Sequence, residues 1–282
     1  MILSYHPFFY GHRFRLYAAR EVDDQDLDLL SRASAVILPP GRFPHLHDQA
    51  VRHCSFVFPD YTTRYAYSGK LGDIRLFQEL GLPHPRTDCF DRLSSCPNTY
   101  WQEIEYPVIV KHSTGGEGRL VYVIHGLQEA GDVLSVFQGM EHSGFSGFLV
   151  QELIPTDQRT LRVVVMHSQV YSYWRVQPDT KKVLHNLAQG GVIDHCSDPE
   201  MQAQGQSLVR QLCRQTGINL AGIDVLFDCR NGGDPKPLLL EINYFFAMHG
   251  LGGLEAYHQK LKLAVKNWLV EHHLPLPVKD FG

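Results

Sequence analysis

Three oxygen-bearing side chains lie near the C-terminal end of the sequence: Asp224 inside the run Ile223–Phe227, Glu241 at the end of the run Pro237–Ile242, and Asn243 just beyond it. Asp228–Pro235 between the runs is rich in Gly, Asn, Asp and Pro, so the two runs read as a β-hairpin. Side chains alternate along a strand, so Glu241 and Asn243 share a face, and pairing can bring Asp224 beside them. Two carboxylates and an amide oxygen form a hard-oxygen set suited to Mg²⁺, or to Mn²⁺, with phosphates completing the shell. For Asp224 alone a solvated hairpin end is an equal reading. The triple is different, because its members adjoin runs apolar enough to be buried, where an unpaired carboxylate is costly and a cation removes the cost.

A second set of residues carries positive charge. In PVIVKHSTGGEG, Lys111 leaves the strand-like Val108–Val110, and the glycine-rich Ser113–Gly118 precedes a second strand, Leu120–Ile124. Backbone N–H groups around Gly115, Gly116 and Gly118 can wrap phosphate oxygens while Lys111 supplies charge. The loop is not a Walker A motif, and a plain hairpin turn competes with phosphate binding. Lys70 stands in the first turn of a predicted helix, within reach of a cleft or simply in solvent. Arg162 and Arg175 lie on a second predicted hairpin, Leu161–Met166 with Val170–Val176, where they suit bidentate contacts to carboxylate or phosphate, or serve as exposed strand charges. The strand Gly147–Ile154 ends in Gln151 and Glu152; its backbone can bond an adenine edge while Leu153 packs on the ring.

The elements that position these residues are consistent with a complete enzyme. At 282 residues, 44% hydrophobic and 20% charged, the chain can bury a substantial core. A net charge of -4 gives no global reason to bind nucleic acid or an anionic membrane, and no apolar stretch is long enough to span one. The six cysteines lack C-x-x-C spacing, so neither zinc nor a disulfide framework is expected, and a reducing cytoplasm is the simplest location. Residues 1–67 read as a small α/β lobe, with strands Met1–Ser4, Arg13–Ala18, Ala35–Leu38 and Phe56–Phe58 and helices Asp24–Arg32 and His45–His53. The pair His45 and His47 could ligate a metal, but no third ligand is in view and they are read as surface or structural histidines. After a boundary near Tyr67, Ser68 caps a helix whose apolar stripe is Leu71, Ile74, Phe77 and Leu80. Met201–Thr216 and Leu254–Val270 are the later helices, with Leu254, Tyr257, Leu261, Val265 and Trp268–Leu269 at core spacing in the second.

Taken in order, the Lys70 helix, PVIVKHSTGGEG, FLVQELI, LRVVV, YWRV, HNLAQGG, AGIDVLF and LLLEINYFFAMHGLGG resemble the ATP-grasp superfamily, nearest its RimK-like carboxylate–amine ligase branch with a glutathione synthetase-like ATP-binding fold. The resemblance runs from Ser68 through the closing helix. It implies an α/β fold of α+β lobes: an N-terminal lobe 1–67, a central ATP-grasp subdomain 68–150 carrying the glycine-rich loop, and a C-terminal subdomain 151–282 carrying the metal site. By motif position, Lys70 and Lys111 would contact ATP phosphates, and Gln151, Glu152 and Leu153 the adenine. Arg175 and Asn186 would serve the phosphate–metal region, with Arg175 and Lys111 catalytic, and Asp224, Glu241 and Asn243 would hold Mg²⁺. Two positions depart from the family pattern: Thr160 replaces an aspartate before the strand, and Leu184 replaces the arginine of R-S-N-L.

The resemblance implies phosphoryl transfer from ATP to a small-molecule or peptide carboxylate, then attack by an amine on the acyl-phosphate, with release of ADP and phosphate. Addition of an amino acid to a peptide or small molecule is one such reaction. A kinase on the same fold, and a nucleotide-binding accessory protein without turnover, are the alternatives; the second is motivated by Thr160 and Leu184.

Overall fold

The computed structural model describes residues 1–18, 20–115, 119–179, 190–230, 232 and 234–281. Residues 1–58 alternate β1 (Ile2–Ser4), β2 (Arg13–Phe14), α1 (Asp24–Ser31), β3 (Ala35–Ile37), α2 (Pro44–His53) and β4 (Val57–Phe58). Their strands are parallel in the order β2-β1-β3-β4. The continuous apolar runs of β1 and β3 follow from burial on both faces, as parallel sheets require. The short helix α3 (Thr62–Ala66) then leads into α4 (Gly69–Glu79).

Two antiparallel sheets follow. The first is built from β5 (Thr87–Phe90), α5 (Tyr100–Glu103), β6 (Val108–His112), β7 (Val121–Ile124), α6 (Leu127–His142) and β8 (Phe148–Glu152), with strand order β5-β8-β6-β7. The second is built from β9 (Arg159–Met166), β10 (Gln169–Val176), β11 (Val192–Asp194), α7 (Pro199–Thr216), β12 (Leu220–Asp228) and β13 (Lys236–Asn243), with order β11-β10-β9-β12-β13. A long helix α8 (Gly253–Glu271) and a final turn α9 (Val278–Phe281) close the chain.

Two helices join the layers. Leu261, Ala264, Val265, Trp268 and Leu269 of α8 pack between the parallel sheet, at Ile2, Ala35, Ile37 and Phe58, and the second antiparallel sheet, at Val164, Met166 and Leu220. Leu71, Ile74 and Phe77 of α4 share a core with Leu149 of β8 and with Leu239 and Ile242 of β13, so α4 is wedged between the two antiparallel sheets. The other face of the first antiparallel sheet packs Val108, Val110, Phe148 and Val150 against Ala130, Val133 and Phe137 of α6.

The expected hairpins, α7 and α8 are present, and the differences have local causes. The second strand stops at Phe14 where its partner β1 ends at Ser4; Arg15 N still donates to the Ser4 carbonyl at 2.9 Å, and its side chain pairs with Asp23 and Asp26 at 2.6 and 2.5 Å. Leu254 is 57% exposed, since α8 emerges from left-handed Gly252 and Gly253 and its first turn stands clear of the core. The Ser68 hydroxyl accepts from Arg42 at 3.1 Å and caps no helix N–H. His45 and His47 lie on α2, where His45 is exposed and His47 is buried against Tyr61 and Tyr65. The helix α6, the turn α5 and the strand β11 have no counterpart in the sequence reading. All six cysteines are free, and no helix among the described residues is long and apolar enough to cross a membrane.

The chain doubles back just before α4, so a Cβ at Gly72 would lie 2.4 Å from the Tyr67 carbonyl carbon. Alanine raises intrinsic helix propensity by about 1 kcal/mol over glycine. Overpacking against backbone that cannot yield costs about 1–3 kcal/mol, and this term is expected to win. Gly72→Ala should therefore lower stability, read as a lower thermal midpoint.

Candidate functional site

Register places the candidate residues on one face of the second antiparallel sheet. Asp224 stands opposite Arg162 on one side and Glu241 on the other, Gly222 opposite Asn243, and Thr160 opposite Arg175. Farther along the same face, Val164, Met166, Tyr173 and Leu220 are covered by α8 and its neighbours. The polar residues occupy the end that α8 leaves bare.

Asp224, 5% exposed, is held by two arginines. Arg162 donates from Nε at 2.6 Å and Nη2 at 3.2 Å, and Arg175 Nη2 approaches to 2.8 Å. Burial pushes the Asp224 carboxyl up, but the two guanidiniums outweigh it and hold the group below the usual carboxylate range. Arg175 Nη2 also donates to Thr160 Oγ1 at 3.1 Å, while among the described residues the buried Arg175 Nε has no partner. Gly222 makes room for the pair, because a Cβ there would sit 2.8 Å from Arg162 Nη1.

Asn243 Nδ2 donates to Asp224 at 3.3 Å, which leaves the Asn243 carbonyl oxygen for another partner. Among the described residues the Glu241 carboxylate takes no hydrogen bond or ion pair. Glu241, Asn243 and the remaining lone pairs of Asp224 thus fit a hard divalent cation. No cluster of three His, Cys, Asp or Glu side chains is present among the described residues.

Across from this face stand the lysines. Lys111, on β6, donates from Nζ to Gln151 Oε1 at 2.8 Å. Thr87 fixes that amide: its hydroxyl donates to the Pro85 carbonyl at 2.7 Å and accepts from Gln151 Nε2 at 2.8 Å, leaving Oε1 toward Lys111. Burial pushes the Lys111 ammonium down to about 8, with Glu241 opposing and Lys70 adding to the effect. The Lys70 ammonium donates to the Gly115 carbonyl, tying α4 to the start of the glycine-rich loop. Such an arrangement presents positive charge and oxygen donors to a polyphosphate.

At the expected adenine end, part of the Glu152 hydrogen-bonding capacity is already used. Its N–H donates to the Arg86 carbonyl at 3.0 Å, and its carboxylate accepts from Arg86 N at 2.8 Å and Arg230 Nη1 at 2.9 Å. Gln151 is 1% exposed and turns its side chain to Lys111 and Thr87, so it acts on the lysine from below. Leu153 lies just past the end of β8. Gly116, Gly118, Asn186 and Leu184 lie outside the described residues.

Sequence reasoning passed over Thr87, Gly222, Arg230 and Asp73. Asp73 follows Lys70 by three residues, a spacing that puts both on one helix face and was readable. The others depend on pairings between distant segments.

A sequence model of the RimK-like ATP-grasp domain matches residues 77–266. A protein of Pectobacterium carotovorum named "Probable alpha-L-glutamate ligase" is 28% identical over 150 residues, which is 53% of this chain and 45% of that protein. The chain thus spans about half the length of that relative. Among solved structures, a RimK domain ATP-grasp protein from Sphaerobacter thermophilus superposes with a TM-score of 0.57 at 18% identity, covering 81% of this chain and 80% of the other. An L-amino acid ligase from Bacillus licheniformis gives 0.62 at 14% identity, covering 96% and 66%. These likenesses establish an ATP-grasp fold, and the match over residues 77–266 shows that the chain belongs to the RimK-like ATP-grasp family.

Proposed function

We propose that this chain is an ATP- and Mg²⁺-dependent carboxylate–amine ligase that works through an acyl-phosphate and releases ADP and phosphate. The observation that carries the reading is the Glu241 carboxylate, without a partner among the described residues, opposite an Asp224 already neutralised by Arg162 and Arg175, with Lys70 and Lys111 facing them. Glu241, Asn243 and Asp224 would hold Mg²⁺, which when bound screens phosphate charge. Lys70 and Lys111 would grip the phosphates, Gln151 would orient Lys111, and Arg175 would meet the transferring group through its free edge. In this reading, lobes 68–150 and 151–282 close on ATP, while 1–67 helps to present the substrates. The names of its relatives favour an amino acid as the amine and a peptide or small molecule as the carboxylate.

Titration of the purified protein with ATP, with and without Mg²⁺, should give Mg²⁺-dependent binding that Glu241→Ala loses. With a competent carboxylate and amine pair, ADP and phosphate should appear together with an amide. AMP and pyrophosphate would exclude this chemistry, and a stable phosphorylated product formed without amine would mark a kinase.

Lys111 sets a pH dependence with two opposite signs. Its folded value of about 8 lies below the ordinary 10.5, so between these limits the folded chain binds less proton than the unfolded chain. The contribution of Lys111 to stability therefore rises with pH across that window and is lost as pH falls through 8. ATP binding runs the other way, since phosphate needs the ammonium: affinity for the free protein should fall as pH rises through about 8. Lys111→Met should bind ATP weakly at pH 7 and show no such fall, as isothermal titration across pH 6.5–9 would check.

A further inference from the structure

The metal-bearing strand is the outer strand of its sheet, and an outer strand leaves backbone N–H groups without ladder partners. On β13 two of these are taken by the α4 region. Ile242 N donates to Asp73 Oδ2 at 3.0 Å, and Leu239 N to the Pro83 carbonyl at 2.8 Å. Both groups point outward because of a bulge: Asp224 pairs with Glu241 but Val225 with Leu239, so Leu240 is an extra residue. A bulge re-aims the side chains beside it, here that of Glu241, and the Ile242 amide lies between Glu241 and Asn243.

Asp73 is 5% exposed and lies one turn after Lys70 on α4. The helix therefore carries both ends of the grip, with Lys70 on the Gly115 carbonyl and Asp73 on the strand between two oxygen donors. We infer that Asp73 is a positioning residue for the divalent-cation site, its carboxyl oxygen fixing the Ile242 amide and so the direction in which Glu241 and Asn243 present their oxygens. This rests on the proposed reading of those two residues as cation ligands. The contact at 3.0 Å is made by an acceptor oxygen, so what the strand needs is such an oxygen within reach of the Ile242 amide. Asparagine supplies one; alanine does not.

The test is a Mg²⁺ titration at saturating ATP, read as binding heat, on the full chain and on Asp73→Ala, Asp73→Asn and Glu241→Ala. Groups that orient metal ligands typically account for about 10–100-fold in metal affinity. Asp73→Ala is expected to lose affinity for Mg²⁺ in that range while the weaker ATP binding measured without metal stays as in the unaltered chain, and Asp73→Asn to restore it. Where Asp73→Ala does not fold, Asp73→Glu keeps the carboxyl group but displaces the acceptor by one methylene, and it should weaken Mg²⁺ in the same direction. A folded Asp73→Ala or Asp73→Glu with wild-type Mg²⁺ affinity overturns the inference, as does an Asp73→Asn that fails alongside Asp73→Ala. Loss in Glu241→Ala without loss in the folded Asp73 variants overturns the positioning role alone. If the unaltered chain shows no Mg²⁺-dependent binding of ATP, the reading of the site falls and the role of Asp73 with it.

Discussion

A carboxylate buried in an otherwise apolar strand must be compensated, and much of this molecule follows from how Asp224 meets that condition. Its strand is buried along nearly its whole length, and removing one partner from such a pair typically destabilises by about 3–5 kcal/mol. Two arginines from β9 and β10 supply the compensation, which requires those strands to lie in order beside β12 and requires Gly222 to leave space for a guanidinium. The apolar alternation on the same strands then decides what covers each face. Leu161, Val163, Val165, Ile223 and Val225 go to α7 and α4, and Val164, Met166 and Leu220 go to α8.

The helices α8 and α4 place this face within a larger frame. Because α8 is shared by the parallel sheet and the second antiparallel sheet, the parallel sheet is held against the same sheet face as the site, at its far end, with Phe58 and Trp268 rings 5.4 Å apart. Because α4 is shared by the two antiparallel sheets, Lys70 and Lys111 are brought to the same cleft as Glu241 although they lie on different layers. Neither helix could do this with a single apolar stripe facing one partner. Each buries residues on enough of its circumference to serve two.

The site was legible in the sequence where chemistry and local periodicity coincide. Asp224, Glu241 and Asn243 stand out because acidic and amide groups interrupt short apolar runs joined by turn residues, and the register follows from a period of two. What Arg162 and Arg175 bind was not legible. Their target lies 62 and 49 residues away in sequence and is fixed by which strands pair, a tertiary outcome. The Ile242 amide lies 169 residues from Asp73, so that contact was beyond local reading. Helix α6 was missed for a different reason: Gly131 and Gly139 thin a stripe that buries only Ala130, Val133 and Phe137. The strand carrying Glu152 was placed correctly, while the bonds of its N–H to Arg86 and of its carboxylate to Arg230 depend on distant segments and were not legible.

The two carboxylates of the candidate site have different duties, and the difference follows from charge. Residues directly opposite on paired strands have Cβ atoms about 4.5–5.5 Å apart. Two bare carboxylates at about 5 Å repel by roughly 3 kcal/mol at an effective dielectric of 20, enough to oppose the pairing of β12 with β13. With Arg162 and Arg175 on Asp224 the formal sum beside Glu241 is positive, so the hairpin closes without that opposition. Arg162 and Arg175 are consequently what lets the two carboxylates stand side by side, with Asp224 held by both of them and Glu241 left without a partner among the described residues.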